Sequence, residues 1–209
     1  MIDQLIIEPH YFGSLEYFGL LSNASYVLLE SNQHFTKQTY KNRCKLLTPQ
    51  GVKTLTVPVH FGNRSALKDV KVDYNQNWVK EHLGMIRAAY GKAAYFDFYY
   101  EAVERLLTKR SGFLIDLSEG SIQLVASFLG LKLDISMTEE YSKNVEDRFF
   151  DLRETILSKK AFKERHFYKE VSYFQNFGSI FEPNLSVLDC LMNTGPDCSR
   201  IIKESIINQ

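Results

Sequence analysis

Leu5-Ile6-Ile7 is an unbroken apolar run that gives way at Glu8, and it reads as a short buried strand over Leu5–Glu8. Ser14 then stands where an N-cap belongs, ahead of Leu15, Phe18 and Leu21, which share one face of a helix reaching about Leu21. A second strand is predicted over Ser25–Glu30. Strand, helix and strand in so short a stretch make a parallel pair with a right-handed crossover the economical topology.

Asn42–Leu47 and Val52–Val59 form a predicted hairpin. Thr48-Pro49-Gln50-Gly51 fits a turn with Pro second and Gly fourth. Leu55, Val57 and Val59 alternate, which buries one face, and Pro58 suits a strand end or an edge. From Asn77 the period turns helical, with Asn77 as N-cap and Gly91 as the stop after Tyr90. Phe98–Lys109 is a second helix, its Asp97 start and Lys109-Arg110 end matched to the helix dipole. A third runs roughly from Leu117 to Leu129 and stops at Gly130. Leu131–Ile135 is a candidate strand, and Glu139–Asp151 shows no clear period. Asn184–Met192 and Pro196–Ile206 are short helices around the break Asn193-Thr194-Gly195-Pro196, with Pro196 at a first helical position. The pattern predicts an α/β fold with a mixed sheet, a parallel βαβ start plus an antiparallel hairpin, and a helical C-terminal half. Residues 1–209 are read as a single domain.

Charge and composition narrow the class. With 25 basic and 25 acidic residues the net charge is zero, which argues against a chain whose task is to coat nucleic acid or an anionic membrane. Residues 37–45 and 159–169 are basic and 134–154 mostly acidic, runs that read as solvated faces. Tyr outnumbers Trp 12 to 1, and Tyr can pack and still hydrogen-bond, in cores and polar pockets alike. Cys44, Cys190 and Cys198 form no Cys-x-x-Cys pair, and the chain opens with neither a basic n-region nor a long apolar stretch. The reading is a cytoplasmic protein with reduced thiols, no signal peptide and no membrane span. His10, His34, His60, His82 and His166 never fall at His-x-x-x-His spacing, so neither a metal nor a cofactor is expected. Gly-x-Ser-x-Gly, Gly-x-Gly-x-x-Gly and the phosphate-binding loop are all absent. That sets aside the common serine hydrolase scheme, dinucleotide redox chemistry and nucleotide hydrolysis.

The polar residues around the first strand carry the candidate chemistry. Glu8, His10 and Tyr11 follow a parallel-type strand and precede the helix begun at Ser14. Ligands in open α/β sheets sit outside the carboxyl ends of strands, and a helix start offers free N–H groups to a phosphate or carboxylate. Glu30, Asn32, Gln33 and His34 leave the second strand at the same edge, so two distant polar groups converge there. The plainer alternative makes Glu8 and His10 ordinary loop residues. Lys37, Tyr40, Asn42 and Arg43 load the next segment with hydrogen-bonding groups. On a strand Lys37 and Arg43 share one side, and Tyr40 and Asn42 the other. All four meet one ligand only if the strand starts late or carries a bulge. Arg offers a planar fork to a phosphate or carboxylate; the alternative is an exposed edge guarded by charge. His82 shares a helical stripe with Trp78, Met85 and Ala89, beside the apolar Val79, Leu83, Ile86 and Tyr90. It is either a hydrogen-bonded core residue or a general base near neutral pH. Cys44 reads as a small half-buried strand residue in preference to a nucleophile.

Four motifs in order carry a family resemblance. They are Ile6-Ile7-Glu8-Pro9-His10-Tyr11-Phe12; then Lys37-Gln38-Thr39-Tyr40-Lys41-Asn42-Arg43 with Leu55-Thr56-Val57-Pro58-Val59; then Trp78-Val79-Lys80-Glu81-His82 through Tyr90 and Tyr95-Phe96; and last Tyr173-Phe174-Gln175-Asn176-Phe177, Leu185-Ser186-Val187-Leu188-Asp189 and Asn193-Thr194-Gly195-Pro196. This order, over nearly the whole chain, resembles the WbqC-like family of bacterial proteins. Many members carry His-Gln-Pro where this chain has Ile7-Glu8-Pro9, and Trp where it has Tyr40. Any role of the leading His falls here to His10 or lapses. The resemblance implies a part in surface-polysaccharide gene sets, including O-antigen sets that build modified amino sugars, and a transferase acting on an activated amino sugar by acyl or aminoacyl transfer. On that reading Tyr11, Lys37, Tyr40, Asn42, Arg43 and Gln175 bind the ligand. His10 or His82 is the base toward the attacking amine, and Glu8 orients it. The rival readings are a non-catalytic binding protein for a nucleotide-linked or anionic ligand, and a scaffold in surface-polysaccharide assembly. The partner expected is a small molecule or sugar nucleotide, with self-association left open.

Overall fold

The computed structural model describes residues 2–157 and 162–207. Strand β1 (Ile2–Ile7) leads through helix α1 (Leu15–Ser22) to strand β2 (Ala24–Leu29). β1 and β2 pair in parallel, with Ile7 opposite Leu29. Ser14 caps α1 by accepting the Tyr17 amide on its hydroxyl. Every residue from Leu15 to Leu21 is buried, so α1 is enclosed all round, and the stripe of Leu15, Phe18 and Leu21 is only part of its apolar surface.

Strands β3 (Arg43–Thr48) and β4 (Gly51–Thr56) form the antiparallel hairpin, Thr48 opposite Gly51. Gly51 has φ 90°, a conformation that costs a glycine little, and the Thr48 hydroxyl donates to its carbonyl at 2.7 Å. The polar segment 37–42 precedes the strand, so the late start that the alternation required is what occurs. The hairpin stands as its own ribbon beside the parallel sheet, and β5 (Val59–His60) and β6 (Lys71–Val72) make a second small ribbon.

Three helices follow: α2 (Trp78–Tyr90), α3 (Phe96–Thr108) and α4 (Leu114–Leu129). Asn77 precedes α2 as expected, but its side chain makes no capping bond. Gly130 ends α4 in the left-handed conformation, φ 66°. Strands β7 (Asp134–Met137) and β8 (Phe149–Asp151) then return to the first unit, and helices α5 (Val187–Thr194) and α6 (Cys198–Ser205) close the described chain. The expected strand at Leu131–Ile135 starts later, at Asp134, and the stretch without a period contains β8. The parallel sheet has the order β7-β2-β1-β8, with every pairing parallel. Leu5, Ile7, Val27 and Leu29 are at most 1% exposed and join one core with α1, α5 and α6. Among the described residues no helix is long and apolar enough to cross a membrane.

Candidate functional site

The strand order puts β2 and β7 on one side of β1 and β8 on the other. Ligands of open parallel sheets sit beyond the carboxyl edge where the order reverses, which here is the ground after Ile7 and Asp151. Glu8 leaves β1 at that edge and pairs with Lys41, Oε1 to Nζ 2.6 Å, both side chains about 95% buried. The His10 ring stacks on Tyr17 at 4.3 Å between centroids and tilts against Tyr40 at 5.3 Å. The Tyr11 amide donates to the Tyr40 carbonyl at 2.9 Å. Residues 8–11 therefore dock along residues 40–41. The next residue, Phe12, is held at φ 41°, a costly position for a bulky side chain that surrounding bonds must enforce. Its amide donates to Ser121 and its carbonyl accepts from Ser186 at 2.8 Å.

Beneath this group lies a second buried ion pair. Glu16, on the first turn of α1, takes the Arg165 guanidinium with two bonds, Nε to Oε1 at 2.9 Å and Nη2 to Oε2. Asn184 completes it: its Nδ2 donates to Glu16 Oε2 at 2.9 Å, and its Oδ1 accepts the Glu16 amide at 3.0 Å. Sequence reasoning missed Glu16, Arg165, Asn184 and Lys41. The available signal was an acid placed among Leu15, Tyr17 and Phe18 on a helix with no polar face. The free N–H groups expected at the start of α1 are already taken. Leu15 donates to the Leu185 carbonyl, Glu16 to Asn184, and Tyr17 to Ser14. That helix end is closed to an external anion.

Burial lowers the pKa of His10 to about 3, with the positive charges of Lys41 and then Arg165 adding to it. The ring is neutral at physiological pH, and its buried Nδ1 has no hydrogen-bond partner among the described residues. Burial pushes the Tyr17 hydroxyl well above its ordinary value. Two ion pairs out of water, around an imidazole whose Nδ1 is unmatched, cost stability. Such arrangements concentrate at functional sites.

The other sequence-predicted residues divide. Tyr11 donates its buried hydroxyl to His82 Nδ1 at 3.0 Å, and His82 Nε2 lies 3.2 Å from the Thr56 carbonyl. A carbonyl can only accept, so Nε2 carries the ring proton and Nδ1 accepts from Tyr11. Burial lowers the His82 pKa to about 4, against the bond to Thr56 that favours the charged form. Both ring nitrogens are occupied within the protein. Asn42 donates Nδ2 to the Val57 carbonyl at 3.0 Å and keeps a buried Oδ1 with no partner among the described residues. Arg43 opens β3 opposite Thr56, half-buried, its Nε without a partner among the described residues. Thus His10, Tyr11 and Tyr40 are joined directly, Glu8 through Lys41, His82 through Tyr11, and Asn42 and Arg43 at the adjoining base of the hairpin. Lys37 and Gln175 make their contacts elsewhere. Lys37 is exposed, its ammonium 5.0 Å from the Phe61 ring centre. Gln175 bonds Glu182 and Asp189, a buried carboxylate that also accepts the Tyr90 and Tyr173 hydroxyls. Cys44 is buried and its thiol pKa is raised by that burial, opposite to what activates a nucleophile. Among the described residues no three His, Cys, Asp or Glu side chains stand where they could hold a metal ion.

These features define an α/β protein with a parallel sheet and a buried ionisable site at its strand-order reversal. The chain belongs to the WbqC-like protein family, whose model matches residues 8–165 and 154–201. The first matched span opens on Glu8 and closes on Arg165, both residues of this site. The chain is also similar to the uncharacterized protein Rv1507c of Mycobacterium tuberculosis (strain ATCC 25618 / H37Rv), at 23% identity over 228 residues, covering 95% of this chain and 98% of that protein. No solved structure matches it.

Proposed function

We propose that the protein is a cytoplasmic bacterial enzyme that transfers an acyl or aminoacyl group to the amine of an activated amino sugar, in the making of surface polysaccharide or O-antigen. The observation that carries the reading is His10: a neutral, buried imidazole with a free Nδ1, at the carboxyl edge of the central strand, beside the Glu8–Lys41 pair. The substrate class rests on the family. In the reaction the amine nitrogen bonds to the acyl carbonyl carbon, its proton passes to His10 Nδ1 and then to the departing group. Burial and the neighbouring positive charges make His10 a weak base. An anionic substrate placed next to it offsets the charges of Lys41 and Arg165 and raises its proton affinity. Glu8 holds Lys41 in place, Arg43 Nε supplies an unused donor for the sugar-linked phosphate, and Asn42 Oδ1 an unused acceptor for a sugar hydroxyl. His82 fixes Tyr11 and leaves the base role to His10. The near-complete burial of His10, 2% exposed, favours one rival, a non-catalytic binding protein for a nucleotide-linked or anionic ligand.

Turnover separates the two. Purified protein is incubated with nucleotide-linked amino sugars and acyl or aminoacyl donors, and products are read by mass spectrometry. His10→Gln is expected to lower the rate by about 10²–10⁴-fold, the range of a lost general base, with the melting temperature nearly unchanged. Full turnover in His10→Gln removes the assigned base. Ligand binding with no product from any donor hands the reading to its rival.

A further inference from the structure

The parallel sheet has a second face whose cover is thin. Parallel strands are ordinarily buried on both faces. Leu5, Ile7, Val27 and Leu29 meet the helices, whereas the alternate residues Ile6, Tyr26, Leu28, Ser136 and Phe149 line the other side. Tyr26, Leu28 and Phe149 are only half-buried. The chain from β7 to β8, residues 138–148, crosses this face without forming a helix. A crossover of bends and turns fills less depth than a helix, and beneath it lies a cavity of about 560 Å³, within the range of small-molecule sites. It reaches the carboxyl edge of the sheet at Glu30, Thr138 and Arg153.

We propose that this cavity binds a small organic cation, an apolar or aromatic body carrying an ammonium group. The apolar body matches Ile6 and Leu28, with the Tyr26 and Phe149 rings 6.2 Å apart and inclined at 46°. The charge follows from how the cavity's ions are already used. Arg153 is paired with Glu30 at 3.0 Å and Asp151 at 2.9 Å. Glu30 is saturated by the Asn32 and Gln33 amides and the Thr138 hydroxyl besides Arg153. Arg148 pairs with Glu146 at 2.8 Å and covers one face of Phe149, which leaves Tyr26 as the open π-face. Glu139 and Glu140 line the cavity, exposed and, among the described residues, without an ion pair. An anion there meets two unpaired carboxylates and only guanidinium groups that are already engaged. A cation meets an aromatic face and negative charge, both attractive. None of these residues is assigned to group transfer above, so either reading can fail without the other.

The test is a titration of the ¹⁵N-labelled full chain with phenethylamine, 2-phenylethanol and phenylacetate, which share a body and differ in charge. Phenethylamine is expected to shift the amides of Tyr26, Leu28, Ser136 and Phe149 saturably. The alcohol should bind about fivefold more weakly and phenylacetate more weakly still. The double variant Glu139→Gln/Glu140→Gln should weaken the amine about threefold and flatten its dependence on salt, and Tyr26→Leu should weaken it with amides remote from the sheet unmoved. Equal binding of alcohol and amine, a preference for phenylacetate, shifts confined to another surface, or no saturable shift overturns the proposal.

Discussion

His10 and His82 are both buried and both neutral, yet one ring has spent its hydrogen bonds and the other has not. Truncating His82 strands the Tyr11 hydroxyl and the Thr56 carbonyl in the interior. His82→Ala should therefore lose about 2–4 kcal/mol in urea unfolding, the cost of unmet polar groups plus a small cavity. His10→Gln should lose much less, since its Nδ1 gives up no bond. Acid should expose both rings. Their folded pKa values, about 3 and about 4, lie below the 6.5 of the unfolded chain. Between those limits the unfolded state binds more protons, so stability falls as pH drops from about 6.5 toward 4, by up to about 1.4 kcal/mol per pH unit for each ring. Asp189 acts the other way, its folded pKa raised by burial, so its contribution grows as pH falls. Unfolding free energies of wild type and His82→Gln, compared between pH 6.5 and 5, should show a shallower slope in the variant. Equal slopes would contradict the neutral buried state of His82. His82 was legible in the sequence as a choice between core and base, because a helical stripe fixes neighbours. The choice itself depended on Tyr11 and Thr56, which no spacing reveals.

Helix α1 shows why an element can be read while its chemistry is not. Its cap and apolar residues are local, so β1, α1 and β2 follow from the sequence pattern. Glu16 looked like an ordinary helical acid, and its partner Arg165 lies 149 positions away. β8 was illegible for a related reason. Phe149–Asp151 is short, sits in an acidic stretch and leaves Phe150 39% exposed, so only the waiting edge of β1 makes it a strand. The Glu16–Arg165 pair has a testable asymmetry. Arg165→Met leaves a carboxylate charged in the core and should cost about 3–5 kcal/mol, whereas Glu16→Leu/Arg165→Met removes both charges and should recover most of that loss. Chemical denaturation of the two variants decides. If the double variant is no more stable than Arg165→Met, unpaired charge is not what the single change exposes.

At the scale of the molecule, the beginning and end of the chain build one interior. The Gly13 carbonyl accepts the Val187 amide, the Leu185 carbonyl accepts the Leu15 amide, and Asn184 binds Glu16. Asp189 on α5 holds Tyr90 of α2, and the Met192 carbonyl takes the Tyr95 amide just before α3. Ser121 of α4 bonds the His10 carbonyl and the Phe12 amide, so even the candidate site is braced from a later helix. These ties bind together regions that local pattern reads as a strand-rich start and a helical end. Val187, Leu188, Leu191 and Met192 are completely buried, in the same cluster as Leu5 and Leu15. We therefore expect residues 1–209 to unfold as one cooperative unit. Trp78, the single tryptophan, is 3% exposed on α2, so its fluorescence reports the helical half, while far-UV circular dichroism averages over all elements. The two urea transitions should coincide in midpoint and slope. A chain ended after Glu182 loses α5, α6 and the closure of α1 together, and it should show no cooperative Trp78 transition. Two separated transitions in the full chain, or a truncated chain that keeps a sharp one, would mean that the two ends stabilise themselves independently.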